Sequence, residues 1–287
     1  MSEVERSARG RADTKPEEPV LFVQSALAEP VMLETASGRV AVYSRPAPYR
    51  DRVNEDSAVL IPLANAGALL VVADGVGGAR EGARASRRMV TRLATGFTRA
   101  ASNVADPAHP SIRSATLDAV EETNRELLER GSGSTTLAIA ELRDGQVRPY
   151  HVGDSEIWLI GGGGKIRWRT TSHSPTGYAV EAGLLAESEA LGHDERHLIS
   201  NAVGASDMRV EIGSFQPMRP RDTLLVGTDG LFDNLRTREV VEIVRKGPLH
   251  VAARSLARAA AERMAAHDET EPGKPDDLTF LLYRRLR

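Results

Sequence analysis

The chain contains no cysteine among its 287 residues. This absence excludes disulfides, thiolate nucleophiles and cysteine-based zinc sites, and it suits a reducing compartment. No apolar run reaches the roughly 18 residues needed to span a bilayer, and the polar N-terminus lacks the hydrophobic stretch of a signal peptide. The formal net charge of -3 offers no support for nucleic-acid binding. We therefore expect a soluble, cytoplasmic protein that acts without nucleic acid or membrane.

The domain organisation follows from the distribution of apolar residues, which make up 41% of the chain. Residues 1–19 are charged and poor in apolar side chains, which predicts a disordered polar tail. Residues 20–36 are compatible with an ordered lead-in strand or with an extension of that tail. Residues 37–287 show neither an internal repeat nor a linker, so we expect one folded domain there.

The hydrophobic pattern predicts a mixture of strands and helices. Strands are predicted at 40–43, 57–61, 68–73, 135–142, 147–152, 156–160, 165–168, 209–215, 223–227 and 278–283. Helices are predicted at 81–101, 111–130, 175–185, 236–244 and 248–266. Strands mostly follow strands and helices come in adjacent pairs, which favours an α+β layered domain over alternating βαβ units.

Five short segments share one design, a strand end with an acidic residue beside glycine or another acid. The acidic residues of these segments are Glu55 and Asp56, Asp74, Asp154, Asp229, and the pair Asp276 and Asp277. A carboxylate against a buried sheet costs desolvation unless positive charge compensates it. If the five segments converge, they therefore demand cations. The sequence alone does not show that they meet.

The chemistry of these residues indicates which cations would suit them. Oxygen-only ligands favour Mg²⁺ or Mn²⁺ over zinc, and Gly75 lets the backbone approach closely and offer its carbonyl as a further ligand. Two such ions about 3.5–4 Å apart generate hydroxide at neutral pH and clamp the oxygens of a displacement at phosphorus. An isolated Asp-Gly pair is also a common turn.

The segment from Asp74 to Gly78 has two other interpretations. A buried strand followed by glycines and a helix resembles a phosphate cradle, but Arg80 stands where a third glycine would fall. No Gly-Lys-Ser/Thr follows, and Asp74 would repel a pyrophosphate. A tight turn with a solvated aspartate remains open for this segment taken alone.

The acidic segments together with one neutral motif resemble a known family. The motifs are Asn54-Glu55-Asp56, Ala73-Asp74-Gly75-Val76-Gly77-Gly78, Gly133-Ser134-Thr135-Thr136, Val152-Gly153-Asp154-Ser155, Thr228-Asp229-Gly230-Leu231-Phe232-Asp233 and Asp276-Asp277-Leu278-Thr279. In this order they resemble the type 2C, metal-dependent Ser/Thr protein phosphatases of bacterial type, over about residues 38–284. The resemblance implies a sandwich of two antiparallel sheets flanked by antiparallel helix pairs, with two Mn²⁺ or Mg²⁺ ions at one end.

The resemblance also implies roles for individual residues. Asp74 would bridge two metals, with Asp229 and Asp276 completing the shell of the first, and these three aspartates are the predicted catalytic set. The Gly75 carbonyl would bind one metal, and Glu55 with Asp56 nearby would hold the second. Asp154 would be available to a third cation. Water activated between the metals would then attack the phosphoserine or phosphothreonine of a protein.

The chain departs from the family pattern at three places. Where relatives carry a phosphate-binding arginine this chain has Asp51, so Arg52 is the preferred candidate and Arg50 the second, with a solvated arginine as the alternative. Relatives often have an aspartate before the histidine and serine of the stretch that contains His173; here Ser172 stands there, which puts a third metal in doubt. Asp277 replaces a frequent asparagine, and is expected to orient Asp276 or to face solvent.

His173, His193 and His197 each allow more than one interpretation, and so does the function. His173 approaches the substrate or is a surface-loop residue, and the i, i+4 pair His193 and His197 indicates surface residues rather than a metal site, because a third ligand is missing. A catalytically silent phosphatase-like regulator and a phosphatase of a partner-switching system are the alternative functions. We expect a Ser/Thr phosphoprotein phosphatase that opposes a Ser/Thr kinase and acts as a monomer.

Overall fold

The computed structural model describes residues 17–48, 52–102, 111–266 and 271–286. The strands are β1 Val20–Val23, β2 Val31–Glu34, β3 Gly38–Arg45, β4 Ser57–Pro62, β5 Ala68–Ala73, β6 Gly75–Val76, β7 Ser134–Thr135, β8 Leu137–Arg143, β9 Gln146–Val152, β10 Glu156–Ile160, β11 Ile166–Arg169, β12 Glu211–Ile212, β13 Gln216–Pro217, β14 Thr223–Gly227 and β15 Leu278–Arg285. The helices are α1 Ala79–Ser102, α2 Ile112–Arg130, α3 Pro175–Glu181, α4 Glu187–Ala190, a 3₁₀ turn Asp194–His197, α5 Asp229–Phe232, α6 Thr237–Val244 and α7 Leu249–Ala265.

The longer strands form two antiparallel sheets. One has seven strands in the order β1-β4-β5-β8-β9-β12, with β13 also pairing with β9. The other has six strands in the order β11-β10-β14-β15-β3-β2. A two-stranded ribbon of β6 and β7 stands apart from both. Pairing between strands that are neighbours in sequence alternates with pairing between strands that are further apart. In the six-stranded sheet, the last strand β15 pairs with β3.

Alternation along the strands builds three hydrophobic layers from these two sheets. In β5, Leu70 and Val72 pack toward the six-stranded sheet, while Leu69 and Val71 pack with residues of α1 and α2. In β15, Phe280 packs with residues of α6 and α7 instead. Since side chains alternate between the two faces of a strand, the result is an α-β-β-α sandwich. This confirms the predicted fold class.

The lead-in segment 20–36, for which the sequence allowed a strand or a tail, contains two strands that join different sheets. Strand β1 pairs with β4 and β2 pairs with β3. Residues 1–16 of the predicted tail lie outside the described residues. Among the residues that are described, none of the helices has the length and apolar character needed to cross a membrane.

The predicted strand 209–215 is wrong in its extent, because only Glu211–Ile212 and, further on, Gln216–Pro217 pair with β9. Between these pairings the opposing residue of β9 is Pro149, which has no N–H to donate to a ladder. Gly213 donates its own N–H to the Pro149 carbonyl (3.1 Å), and the regular pairing is interrupted there. Helix α3 likewise ends at Glu181 rather than at residue 185.

Candidate metal centre

The acidic segments all lie at one end of the sandwich because of strand direction and register. Ser57 is paired with Ala73, so Asp56 and Asp74 are neighbours just beyond that pair. In the other sheet Gly227 is paired with Phe280, which brings the residues after β14 next to those before β15. Antiparallel pairing therefore places the segment after one strand beside the segment before its partner. The convergence that the sequence left open is present.

The backbone of Asp74 is held by hydroxyl and amide groups from the β7 region. Its carbonyl accepts hydrogen bonds from the Thr136 N–H and the Thr135 hydroxyl, both at 2.8 Å. Its N–H donates to the Thr136 hydroxyl oxygen at 3.0 Å, and that hydroxyl contacts the Ser155 hydroxyl at 2.7 Å. The Gly-Ser-Thr-Thr and Gly-Asp-Ser motifs thus fix the direction of the Asp74 side chain.

Two glycines bring the Gly75 carbonyl and the Glu55 carboxylate to the same place. Gly75 packs directly on Gly82 at the start of α1, and a Cβ on Gly75 would collide with the Gly82 backbone. A Cβ on Gly82 would collide with Glu55 Oε2 and lie 2.6 Å from the Gly75 carbonyl oxygen. A side chain on Gly82 would therefore fill the space beside both oxygens, and a side chain on Gly75 would push the two glycines apart.

The segment that carries Glu55 and Asp56 is fastened mainly by Asp277. The Asp277 carboxylate accepts hydrogen bonds from the Glu55 N–H (2.6 Å) and the Ala47 N–H (2.7 Å). Asp56 Oδ2 accepts one from the Thr228 hydroxyl (2.9 Å). The Asp277 side chain is buried, so its expected exposure to solvent is wrong. The Asp277 carboxylate holds Glu55, and the backbone N–H of Asp277 donates to Asp276 Oδ1 at 3.0 Å.

Asp229 and Asp276 lie together because Gly230 allows the short helix α5 to pack on the start of β15. A Cβ on Gly230 would overlap the Asp277 carbonyl. Asp233, one turn after Asp229, joins the same group. The ammonium of Lys274 lies 2.6 Å from Asp229 Oδ2, 2.9 Å from Asp276 Oδ2 and 3.2 Å from Asp233 Oδ2.

Burial and mutual repulsion dominate the electrostatics of the cluster. Burial raises the pKa of Asp74 well above its usual range, and four neighbouring carboxylates raise it further: Asp56, Asp229, Asp276 and Asp154. The pKa of Asp154 is raised in the same way, first by burial and then by Asp229. A group of carboxylates that raise each other's pKa has more negative charge than its surroundings neutralise.

The second half of the cluster consists of Asp229, Asp233 and Asp276, and a lysine compensates part of its negative charge. Burial raises the pKa of Asp233 to about 7, with Asp229 adding to the shift. Burial opposes the charged form of Lys274, yet Asp229, Asp233 and Asp276 together raise the pKa of its ammonium. The lysine therefore stays charged and neutralises part of this half.

The donor set fits hard divalent cations. The converging groups are carboxylate and carbonyl oxygens, which Mg²⁺ and Mn²⁺ prefer. Asp154 Oδ1 is buried and makes no hydrogen bond to any of the described residues, which is costly for a carboxylate oxygen without a cation nearby. The Gly75 carbonyl oxygen and a Glu55 carboxylate oxygen, which both lie against Gly82, offer a second group of oxygen ligands. The residues present thus suit more than one ion.

Of the predicted phosphate-binding residues, Arg52 lies at the edge of the cluster with Nη1 3.9 Å from Glu55 Oε1. Its side chain is 42% exposed. Arg50 lies outside the described residues. A cleft opens beside the cluster, lined by Asp154, Asp229 and Asp233 and by residues of the 169–196 segment. A phosphorylated chain can therefore reach the carboxylates from this side.

The histidines differ from one another in their surroundings. His173 is buried, so the surface-loop interpretation is wrong. Its Nδ1 accepts hydrogen bonds from the Gly153 N–H (3.1 Å) and the Asn201 amide (2.9 Å), and its Nε2 lies 3.1 Å from Glu211 Oε2. His173 thus fixes the turn before Asp154. His193 and His197 are exposed, as expected for surface residues.

Three residues of the site were not found from the sequence. Asp233 follows Asp229 by four residues, and this i, i+4 spacing on a short helix was a usable signal. Thr228 donates to Asp56 from the other sheet, and Lys274 neutralises aspartates on two segments. The last two depend on contacts between distant parts of the chain, which leave no local pattern.

Comparison with known proteins agrees with this geometry. The sequence model of the family described as protein phosphatase 2C matches residues 48–271. A putative protein phosphatase 2C-type from Streptococcus pyogenes serotype M6 is 30% identical over 189 residues, which cover 61% of this chain and 72% of that protein. The solved structure of the S. agalactiae serine/threonine phosphatase has a TM-score of 0.71 at 24% identity, covering 85% of this chain and 98% of that one.

A further solved structure shares this fold. The catalytic domain of the serine/threonine phosphatase PstP, in complex with two manganese ions, has a TM-score of 0.67 at 24% identity. The superposition covers 88% of this chain and 99% of that domain. At this identity the likeness concerns the fold.

Proposed function

The chain belongs to the protein phosphatase 2C family, and on that premise we propose that its acidic cluster holds two divalent cations for phosphoester hydrolysis. Its activity is the metal-dependent removal of phosphate from phosphoserine and phosphothreonine in proteins. The convergence of Asp74, Asp229 and Asp276 at one end of the sandwich is the observation that carries this proposal.

The proposed ligand set follows the geometry of the two halves. Asp74 lies at the centre, because its pKa responds to carboxylates on both sheets, and it is the residue proposed to bridge the metals. Asp229 and Asp276 complete the first site. Glu55 and the Gly75 carbonyl form the second, with Asp56 beside them. Two cations at such a site lower the pKa of water and neutralise charge on the phosphoryl group.

The protein groups themselves perform positioning and charge balance. Thr135 and Thr136 hold the Asp74 backbone, and Asp277 holds the Glu55 backbone, so the backbone positions of these ligands are preorganised. Preorganised ligands lose less entropy on binding than mobile ones. Asp154, with an unpartnered buried oxygen, is the residue proposed for a third cation, with Asp229 and Asp233 as its neighbours.

The phosphate of the substrate needs a cationic partner at the rim of this cluster. We assign that role to Arg52, whose guanidinium lies 3.9 Å from Glu55 and remains 42% exposed. A planar guanidinium suits bidentate hydrogen bonding to phosphate oxygens. Arg50, two residues earlier, is the second candidate.

The experiment that tests the function is phosphate release from phosphoserine and phosphothreonine peptides by the full chain. We expect EDTA-treated protein to be inactive and addition of Mn²⁺ or Mg²⁺ to restore hydrolysis. The exposed substitution Asp144→Asn, far from the centre, serves as the matched control and should behave like the wild type. Hydrolysis that continues in excess EDTA contradicts the mechanism, and tight phosphopeptide binding without hydrolysis favours a silent regulator.

Three finer statements belong to the same proposal. The physiological substrate is a protein phosphorylated by a Ser/Thr kinase, the chain acts as a monomer, and it acts in the cytoplasm. The phosphatase domain is residues 37–287, to which β1 and β2 add an edge strand on each sheet. Size-exclusion chromatography with light scattering tests the monomer.

A further inference from the structure

Lys274 places a positive charge among the proposed ligands of the first metal. Its ammonium lies 2.6 Å from Asp229 Oδ2 and 2.9 Å from Asp276 Oδ2, and both residues belong to that ligand set. A third carboxylate, Asp233, lies at 3.2 Å. An ammonium surrounded by three carboxylates occupies the kind of position that a metal cation takes.

The position of this lysine is fixed by the fold. Asn234 is fully buried, and its side-chain amide donates to the Lys274 carbonyl (2.9 Å) while its Oδ1 accepts from the Lys274 N–H (2.8 Å). The same amide donates to the Gly230 carbonyl at 2.9 Å. Asn234 thus ties the backbone of Lys274 to the helix that carries Asp229. The backbone of Lys274 is therefore fixed beside the cluster, and its side chain extends from there to the three carboxylates.

The residue type is also informative. Lysines are rare in this chain, with four among its 37 lysine and arginine residues. Lys165 and Lys246 are exposed, whereas the Lys274 side chain is 24% exposed. A lysine ammonium is a compact point charge on a flexible stem, which leaves a site more easily than a forked guanidinium bound at two points.

We propose that Lys274 is an intramolecular counter-ion that occupies the first metal position in the metal-free chain and is displaced when a divalent cation binds. The inference rests on the proposed ligand set. An ammonium at 2.6–2.9 Å from the Asp229 and Asp276 oxygens repels a divalent cation bound by the same carboxylates, so the two cations compete. Lys274 would therefore stabilise the metal-free fold and raise the metal concentration at which the enzyme becomes active.

The first test is Mn²⁺ binding by isothermal titration calorimetry, using the full chain stripped of metal. If the ammonium occupies the site in about 90–99% of metal-free molecules, removing its charge tightens the apparent Kd by about 10–100-fold. We expect this gain for Lys274→Gln, together with a lower melting temperature of the metal-free protein. Lys274→Arg keeps the charge and should show no gain in Mn²⁺ affinity, while the exposed control Lys246→Gln should stay near the wild type.

A second measurement follows the lysine itself. In the metal-free protein the Lys274 amine should react slowly with acetic anhydride, and saturating Mn²⁺ should increase its acetylation, measured by mass spectrometry of the peptide that contains it. Lys165 and Lys246 serve as internal references whose labelling should not change. This readout does not depend on catalytic activity.

The outcomes separate this inference from the proposed function. If the wild type binds no Mn²⁺, the proposed metal centre and the proposed competition between Lys274 and Mn²⁺ are both wrong. If the wild type binds Mn²⁺ but Lys274→Gln binds it equally well, or if Lys274 labelling is unchanged by Mn²⁺, only the displacement of Lys274 is overturned. Equal tightening by Lys274→Gln and Lys274→Arg would also overturn it, because charge would then be irrelevant.

Discussion

The two halves of the metal centre solve the problem of buried negative charge differently. The half on the seven-stranded sheet contains Glu55, Asp74 and Asp154. Asp277 holds the backbone of Glu55, Thr136 holds the backbone of Asp74, and the charges of Asp74 and Asp154 repel each other. The half on the six-stranded sheet contains Asp229 and Asp276, together with an ammonium from its own chain. The second half has ligands that an ammonium already neutralises in part, whereas the first half has ligands whose backbone is held by hydrogen bonds.

This difference indicates how the centre gains metal. A set of oxygens on a rigid backbone attracts a cation strongly, since little reorganisation is needed. A set that already holds an ammonium binds metal only by exchanging one cation for another. The half on the seven-stranded sheet should therefore be sensitive to geometry, and the other half to charge.

The largest effect is expected for Asp74→Asn, which removes the residue common to both halves. A metal ion at the reaction centre contributes several kcal/mol of transition-state stabilisation, so kcat/KM should fall by about a thousandfold. The metal-free protein should melt at a higher temperature than the wild type, because a buried and repelled carboxylate is gone. Steady-state kinetics and calorimetry check the two effects. Lower activity with a lower melting temperature would instead indicate damage to the fold.

Gly82→Ala tests the geometric sensitivity of the half on the seven-stranded sheet. The new methyl group would meet the Gly75 carbonyl and the Glu55 carboxylate, so the oxygens must move apart. Changes to groups that orient metal ligands typically cost 10–100-fold in affinity, and we expect Mn²⁺ affinity to fall by about that factor. Titration calorimetry with Mn²⁺ measures it.

Gly96→Ala is the matched control on the same helix. A Cβ there meets no atom within 4 Å, so the only change is the removal of a flexible residue from a helix interior. We expect a gain of about 0.5–1 kcal/mol in the free energy of unfolding and unchanged metal affinity. If Gly82→Ala and Gly96→Ala bind Mn²⁺ equally well, the Gly75–Gly82 contact does not shape the site.

Asp277→Ala tests how far one half supports the other. Asp277 belongs to the six-stranded sheet, but its carboxylate accepts from the Glu55 and Ala47 amides. Each buried amide left without an acceptor costs about 1–3 kcal/mol, so the melting temperature should fall. Mn²⁺ affinity should fall by about tenfold as Glu55 loses its orientation. Asp277→Asn keeps one acceptor oxygen, so its melting temperature and its Mn²⁺ affinity should lie between those of the wild type and of Asp277→Ala. Unchanged Mn²⁺ affinity in Asp277→Ala would make the two halves independent.

Much of the centre was predictable because its signals are local. Asp74 follows a short apolar run directly, and Asp154 and Asp229 each follow a strand end after one residue, a pattern that needs no knowledge of the partner strands. The layered fold followed from the order of strands and helices for the same reason. The family resemblance then supplied roles that spacing alone leaves open.

The remainder depends on contacts between residues far apart in sequence. The direction of the Asp277 carboxylate follows from a segment more than 200 residues away, and the interruption near Gly213 follows from Pro149 on the opposing strand. His173 looks like a loop histidine in sequence, but Asn201 and Gly153 enclose it. Register and burial of this kind arise only when the two sheets assemble.

The last prediction concerns a buried imidazole of the seven-stranded sheet. His151 in β9 lies with its ring centroid 4.3 Å from that of His173, and burial lowers its pKa to about 3. The unfolded chain takes up a proton near pH 6.5 and the folded chain does not, so stability is complete above that pH and is lost as pH falls from 6.5 toward 3.

By pH 5 this single group should cost about 2 kcal/mol of unfolding free energy, because each unit of pH below 6.5 costs about 1.4 kcal/mol. His151→Phe keeps an aromatic ring but cannot titrate, so urea unfolding at pH 7.5 and at pH 5 should show a shallower loss in the variant than in the wild type. Comparing the two pH values within each protein removes any constant effect of the substitution on packing. Equal losses of unfolding free energy in the wild type and in His151→Phe would mean that acid destabilises the fold through the carboxylates of the centre and not through His151.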